Sequence, residues 1–170
     1  HELTHGFDDE GSRYDGKGNL AKTTQAVGLP DERITEYQRD AAGRATSITR
    51  KGRTEANGTV TPDATWRLSY DQSGHLAQTV DPEDNPRGYV YSRLGDLLQF
   101  TGPTGAVWNY AYDADSNQLS ETDPLGKTTT AEYDRLGNQT SGVDERGKVY
   151  RFTYDKMNRQ LEQSDPTGAA

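Results

Sequence analysis

The 170-residue sequence contains no cysteine, which excludes disulfides and thiolate zinc sites. It has no apolar run approaching the ~20 residues of a transmembrane helix, so no membrane span is expected, and no signal peptide is visible. Positive charge is scarce: 19 Lys and Arg stand against 27 Asp and Glu, giving a net charge of −8 and no Lys/Arg-rich run. A nucleic-acid backbone would be repelled, so that partner is discounted. Large aliphatic residues are scarce too. Leu, Ile, Val and Phe total 24 of 170 residues, below the ~20 per cent at which a charged chain invites a reading of disorder. Ten Tyr and two Trp oppose that reading, because most fall in register. The expectation is an ordered sheet with a thin core and one face toward solvent or a solvent-filled interior.

The register is a tyrosine at every twenty-first position from Tyr70: Tyr70, Tyr91, Tyr112, Tyr133 and Tyr154. A fixed period of this size marks a stacked repeat whose units bury their apolar sides against one another. Each tyrosine precedes a turn quartet, such as Asp71-Gln72-Ser73-Gly74, Ser92-Arg93-Leu94-Gly95 and Asp134-Arg135-Leu136-Gly137. Asp at the first position can accept a backbone N–H two residues on. Gly74, Gly95 and Gly137 at the fourth tolerate positive φ, and Asn158 replaces glycine in the last quartet. Ten residues later comes a second turn, typified by Asp123-Pro124-Leu125-Gly126 and repeated at Asp165-Pro166-Thr167-Gly168. Pro124 presets φ for a type I or II turn. Turns alternate every ten and eleven residues, leaving about six residues between them, which suits a strand.

The strand before each tyrosine alternates cleanly. Trp66, Leu68 and Tyr70, Tyr89 and Tyr91, Trp108, Tyr110 and Tyr112, and Tyr150, Phe152 and Tyr154 share one face. The return strand is less clear. Ala77, Leu98, Leu119 and Leu161 form a column broken by Thr140, while Leu76 and Leu97 fall on the other side. The unit is a β-hairpin and the array an antiparallel meander, with successive tyrosines roughly 10 Å apart. The tyrosine ladder reads first as packing and strand registration, and second as an aromatic stripe able to stack on sugars or peptide.

The first third is less regular. Turn signatures occur at Tyr14-Asp15-Gly16-Lys17-Gly18, Asp40-Ala41-Ala42-Gly43 and Glu55-Ala56-Asn57-Gly58, and residues 44–70 read as one long-armed hairpin. Residues 26–33 read as a loop. Residues 1–33 are therefore taken as an irregular N-terminal segment and 34–170 as the hairpin array. The start without Met, the stop just after a turn and the unpaired edges of such a meander point to a piece of a longer array.

Two resemblances follow from quoted residues. Tyr70-Asp71-Gln72-Ser73-Gly74-His75-Leu76 and Tyr133-Asp134-Arg135-Leu136-Gly137-Asn138, with Asp-Pro-x-Gly turns between such elements, resemble the Rhs or YD-repeat family across about 34–168. That resemblance implies a β-sheet spiralling into a hollow shell. In bacterial secreted toxins the shell encloses a toxic or otherwise variable polypeptide, and in animal relatives it belongs to cell-surface adhesion proteins. The implied role is a non-catalytic structural segment whose partners are neighbouring repeats and an enclosed polypeptide, with no cofactor. The family's self-cleaving pair of Asp-Pro-x-Gly elements has no counterpart here, since Asp123-Pro124-Leu125-Gly126 and Asp144-Glu145-Arg146-Gly147 keep the ordinary step. An alternative is a glycan- or protein-binding face using Tyr89, Trp108, Tyr110 and Tyr150.

Separately, His1-Glu2-Leu3-Thr4-His5 looks like the zinc motif of neprilysin-type metallopeptidases, extending toward Tyr14 and Leu20. On a helix, His1 and His5 would share one face and Glu2 would serve as general base. Glu36 and Asp40 have the spacing of that family's third-ligand element, but the helical body and tryptophan pair are missing; Thr23 and Thr24 stand in the pair's place. No catalytic or metal residue is assigned. The turn aspartates occur one per turn and read as caps, not a calcium cluster. His75 lies inside a repeat turn and makes no claim to a triad.

Overall fold

The structure is a computed structural model, describing residues 11–25, 32–55 and 57–164. The HELTH segment, most of the 26–33 loop and the Asp165–Gly168 turn lie outside the described residues. Everything regular in the described residues is β-strand. The chain divides into two compact units, residues 1–86 and 87–170.

The first unit carries β1 (Arg13–Tyr14), β2 (Leu20–Gln25), β3 (Arg33–Arg39), β4 (Ala45–Arg50), β5 (Ala64–Tyr70) and β6 (Leu76–Val80). Each strand pairs antiparallel with the next. The hairpin series already includes β1 and β2, closed by the Asp15–Gly18 turn, so it starts ahead of the expected boundary at residue 34. The Asp15 cap and Gly18, at φ 81°, supply the same turn chemistry as later units. Arg33 belongs to β3 and not to a loop. Strands β4 and β5 form a single long hairpin, continued by the Thr54–Val60 bridge and closed at Glu55–Gly58.

The second unit carries β7 (Pro86–Tyr91, beginning at the boundary), β8 (Leu97–Thr101), β9 (Val107–Tyr112), β10 (Gln118–Thr122), β11 (Thr128–Tyr133), β12 (Gln139–Val143), β13 (Val149–Tyr154) and β14 (Gln160–Ser164). These also pair antiparallel in chain order. Within each unit, packing is between strands adjacent in sequence. No hydrophobic residue is buried among the described residues. Among the described residues, strand side chains are mostly half-buried, as strands that pack only on their sequence neighbours require.

The return strands depart from simple alternation, and the register gives the reason. Glu132 pairs with Ser141 and Tyr133 with Gln139, so Thr140 is an extra residue: a β-bulge. Ala77, Leu98, Leu119 and Leu161 occupy the same bulge position in their hairpins. The column that looked like a broken apolar face is thus a column of bulges. Leu76 and Leu97 pair directly with Tyr70 and Tyr91, which places them with the tyrosines. Hairpins closed by the Asp-Pro turns keep regular pairing, as in Thr122 with Thr128 and Glu121 with Thr129.

Candidate functional site

The turns are built by one local device. In the Asp134 turn, the Gly137 N–H donates to the Asp134 carbonyl at 3.1 Å, and the Asp134 N–H donates to the Asn138 carbonyl at 2.9 Å. Asp134 Oδ1 accepts the Leu136 and Asn138 N–H groups, while Oδ2 accepts the Asn138 side-chain amide. This is a type I turn followed by a left-handed residue. Gly74, Gly95 and Gly137 have φ of 94°, 95° and 80°. Asn158 adopts 60° and Ser116 adopts 64°, so the position demands a conformation and not glycine itself. Asp123, Pro124 and Gly126 repeat the device: Asp123 Oδ1 accepts from Leu125 and Lys127, and Gly126 sits at φ 80°.

These bonds favour the ionised carboxylate. The Asn138 side-chain amide and then its backbone N–H hold Asp134 below the ordinary carboxylate range. Asp113 is lowered first by the Asn117 side chain, and Asp155 first by the Arg159 backbone N–H. The capping aspartates thus engage their carboxylate oxygens within their own turns. Among the described residues, no group of three His, Asp or Glu side chains converges as a metal site.

The ladder tyrosines end β5, β7, β9, β11 and β13. Their hydroxyls do more than pack. Tyr133 donates to the Gln118 carbonyl at 3.1 Å and Tyr154 to the Gln139 carbonyl at 2.9 Å. Gln118 and Gln139 are the residues paired with Tyr112 and Tyr133, so each bond reaches back to the preceding repeat. In the first unit, Tyr70 donates to Ala45 at 2.8 Å and also carries the Arg44 guanidinium over its ring, 4.5 Å from the centroid. Burial raises the Tyr112 hydroxyl, assisted by the charges of Asp96 and Glu121.

The aromatic face runs unbroken across β7, β8 and β9. Tyr89, Phe100 and Trp108, on β7, β8 and β9, lie in one row with centroid separations of 5.5 and 5.3 Å. Phe100 was not legible as a member of this face, because the bulge at Leu98 shifts the parity of its strand. The opposite face carries Asn109, Thr128, Thr130, Arg151 and Thr153, all exposed. At the turn edge, Leu94, Leu136 and Met157 stand 71%, 72% and 75% exposed.

The remaining candidates resolve differently. The His75 ring lies 3.2 Å from Asp71 Oδ2 within one turn, where it completes the cap. Glu36 lies within a strand, and Asp40 caps its own turn through Ala42 and Arg44. Their four-residue spacing therefore follows an extended chain and not a helix face. Tyr14 to Leu20 likewise form a hairpin.

No curated protein matches the chain. Among solved structures, TcdB2-TccC3 without its hypervariable C-terminal region is similar at 16% identity and a TM-score of 0.65. The match covers 91% of this chain and 9% of that one. The Photorhabdus luminescens Tc holotoxin pore matches at 14% identity and a TM-score of 0.27, over 89% of this chain and 13% of that one. This chain thus spans a small part of the structures it matches. Residues 91–128 and 133–170 match the RHS Repeat family. Residues 91–128 and 133–170 thus belong to the Rhs/YD-repeat family, and the hairpin step, the capped turns and the fold run in the same pattern ahead of them.

Proposed function

We propose that this chain is a non-catalytic wall segment of an Rhs-type shell that encloses a toxin or other variable polypeptide, within a bacterial protein that is secreted or displayed at the cell surface. One observation carries the reading: hairpins repeat in register with no hydrophobic core among the described residues. A sheet of this kind gains its stability from lateral continuity, which suits a wall better than a pocketed enzyme. The two faces of the second unit differ, one aromatic and the other mostly polar with three exposed threonines on β11 and β13, which suits a partition between two environments.

Protease protection in the whole protein tests the proposal. A polypeptide within the shell should resist trypsin while the wall is intact and become cleavable when mild denaturant opens it. Digestion of that polypeptide at the rate of the unfolded segment, with the wall still folded, would overturn the reading.

A further inference from the structure

Charge is sorted between the two faces of the first unit. Tyr37, Ile48 and Trp66 pair in one row across β3, β4 and β5, so they share a face. Arg50 pairs with Thr35 and Ala64 on that same face, and alternation along β3 adds Arg33 and Arg39. The only carboxylate on β2 to β5 is Glu36, which falls on the opposite face across from Lys22. A chain of net charge −8 thus carries a strand face with arginines and no strand carboxylate.

The positive charge gathers at one end of this face. Arg33, Arg50, Lys51 and Arg53 line a hollow of about 280 Å³, together with Glu32 and Glu55. The Arg53 guanidinium donates to both Glu55 oxygens, at 2.8 and 3.2 Å. Lys51 is bonded to Asp63, which stands outside the lining. Even with Asp63 counted, cations outnumber carboxylates there. Arg33 and Arg50 take part in no ion pair among the described residues. Arg50 lies over the Trp66 ring, 5.7 Å from its centroid, which holds the guanidinium without neutralising it.

The backbone fixes the walls of the hollow. The Lys51 N–H donates to the Ile34 carbonyl at 2.9 Å, and the Gly52 N–H to Asp63 Oδ1 at 2.8 Å. A Cβ on Gly52 would lie 1.9 Å from the Thr61 carbonyl oxygen, so glycine is what lets the two arms of the long hairpin close. An apolar ligand would cover two guanidinium groups without satisfying them, at a desolvation cost, and a cation would be repelled. A planar carboxylate offers two oxygens, enough for one guanidinium fork. A phosphate offers more, and can answer Arg33 and Arg50 together. We propose that the hollow bounded by Arg33 and Arg50 is an anion site that takes a phosphate group, either free or as the head of a small phosphomonoester. The proposal is independent of whether the wall closes into a shell.

Inorganic phosphate, glycerol 3-phosphate and acetate would be titrated into the full-length protein by calorimetry, with phosphorus NMR for the first two. Physiological ionic strength limits the influence of distant charges to roughly 8 Å. At least one phosphate should bind with a dissociation constant on the order of 1 mM, and acetate at least about tenfold more weakly. Tighter binding of glycerol 3-phosphate would identify an ester as the ligand, and equal binding the phosphate group alone; both support the site. Arg50→Gln should weaken binding about tenfold. Arg33→Gln, at the exposed start of β3, should weaken it about threefold to tenfold and keeps the test open if Arg50→Gln does not fold. Arg67→Gln, on the opposite face, should bind like the parent. Binding of neither phosphate overturns the proposal, as does acetate binding as tightly as phosphate. So does undiminished binding by folded Arg33→Gln or Arg50→Gln, or an equal loss in Arg67→Gln.

Discussion

The Tyr154 hydroxyl donates a 2.9 Å hydrogen bond to the carbonyl of Gln139, the residue paired with Tyr133 in the preceding repeat. One ladder residue thereby fixes the position of the next hairpin against the last. Removing only the hydroxyl isolates this contribution. Tyr154→Phe and Tyr133→Phe should each lower the unfolding free energy by about 1 kcal/mol, the usual net value of such a bond. Urea denaturation measures it. Unchanged stability in both variants would show that the ladder acts through ring packing alone.

Gly137 sits at φ 80°, and a Cβ there would meet nothing closer than the Asn117 side chain at 3.6 Å. The cost of substitution is therefore conformational, not steric crowding. Gly137→Val should destabilise by about 1–3 kcal/mol. Gly137→Asn should cost much less, because Asn158 already adopts φ 60° in the corresponding turn. Thermal unfolding of the pair decides it, and equal losses would contradict the turn assignment.

The aspartate caps make stability depend on acid. Asp15, Asp40, Asp113, Asp134, Asp144 and Asp155 are all held below the ordinary carboxyl value. A depressed folded value means that the unfolded chain binds protons first. Their contribution is fully present above the unfolded carboxyl value, about 4. It is lost as pH falls through the folded values. The melting temperature should stay flat from neutral pH to about 5 and decline below about 4. Asp134→Asn removes one titrating cap and should make that decline shallower; a profile identical to the parent's would exclude Asp134 from it.

Thr140 is the bulge residue of β12, and its hydroxyl donates to the Glu132 carbonyl at 3.2 Å. Thr140→Ala keeps the extra residue and should cost about 1 kcal/mol or less. Deleting Thr140 removes the bulge and forces one end of the strand to present its side chains on the opposite face. The deletion should therefore cost several times more than the substitution, as chemical denaturation would show. Similar losses would mean that the bulge does not set register.

The turns were legible in the sequence because their chemistry is local. Asp71 and Gly74, or Asp134 and Gly137, lie within four residues and declare their hydrogen bond and their φ together. The tyrosine ladder was legible as spacing, but its hydroxyl bonds were not, since Gln139 contributes only a carbonyl. The bulges had no residue signature: Ala77, Leu98, Leu119, Thr140 and Leu161 share a place in the register, not a side-chain type. Phe100 was lost to the aromatic face for the same reason. A hollow lined by Thr129, Ala131 and Gly142 was not legible in any single segment, because those residues lie on two different strands and meet only through the register.

Strand order equals sequence order within each unit, and this bears on how the chain acquires its structure. Each new strand finds its partner only a turn away, so little loop-closure entropy accumulates as the sheet widens. An all-β architecture ordinarily pairs distant segments and folds slowly. Here the sheet can grow by accretion, hairpin after hairpin, as the polypeptide leaves the ribosome. Within a unit, each hairpin then serves as the template for the one synthesised after it.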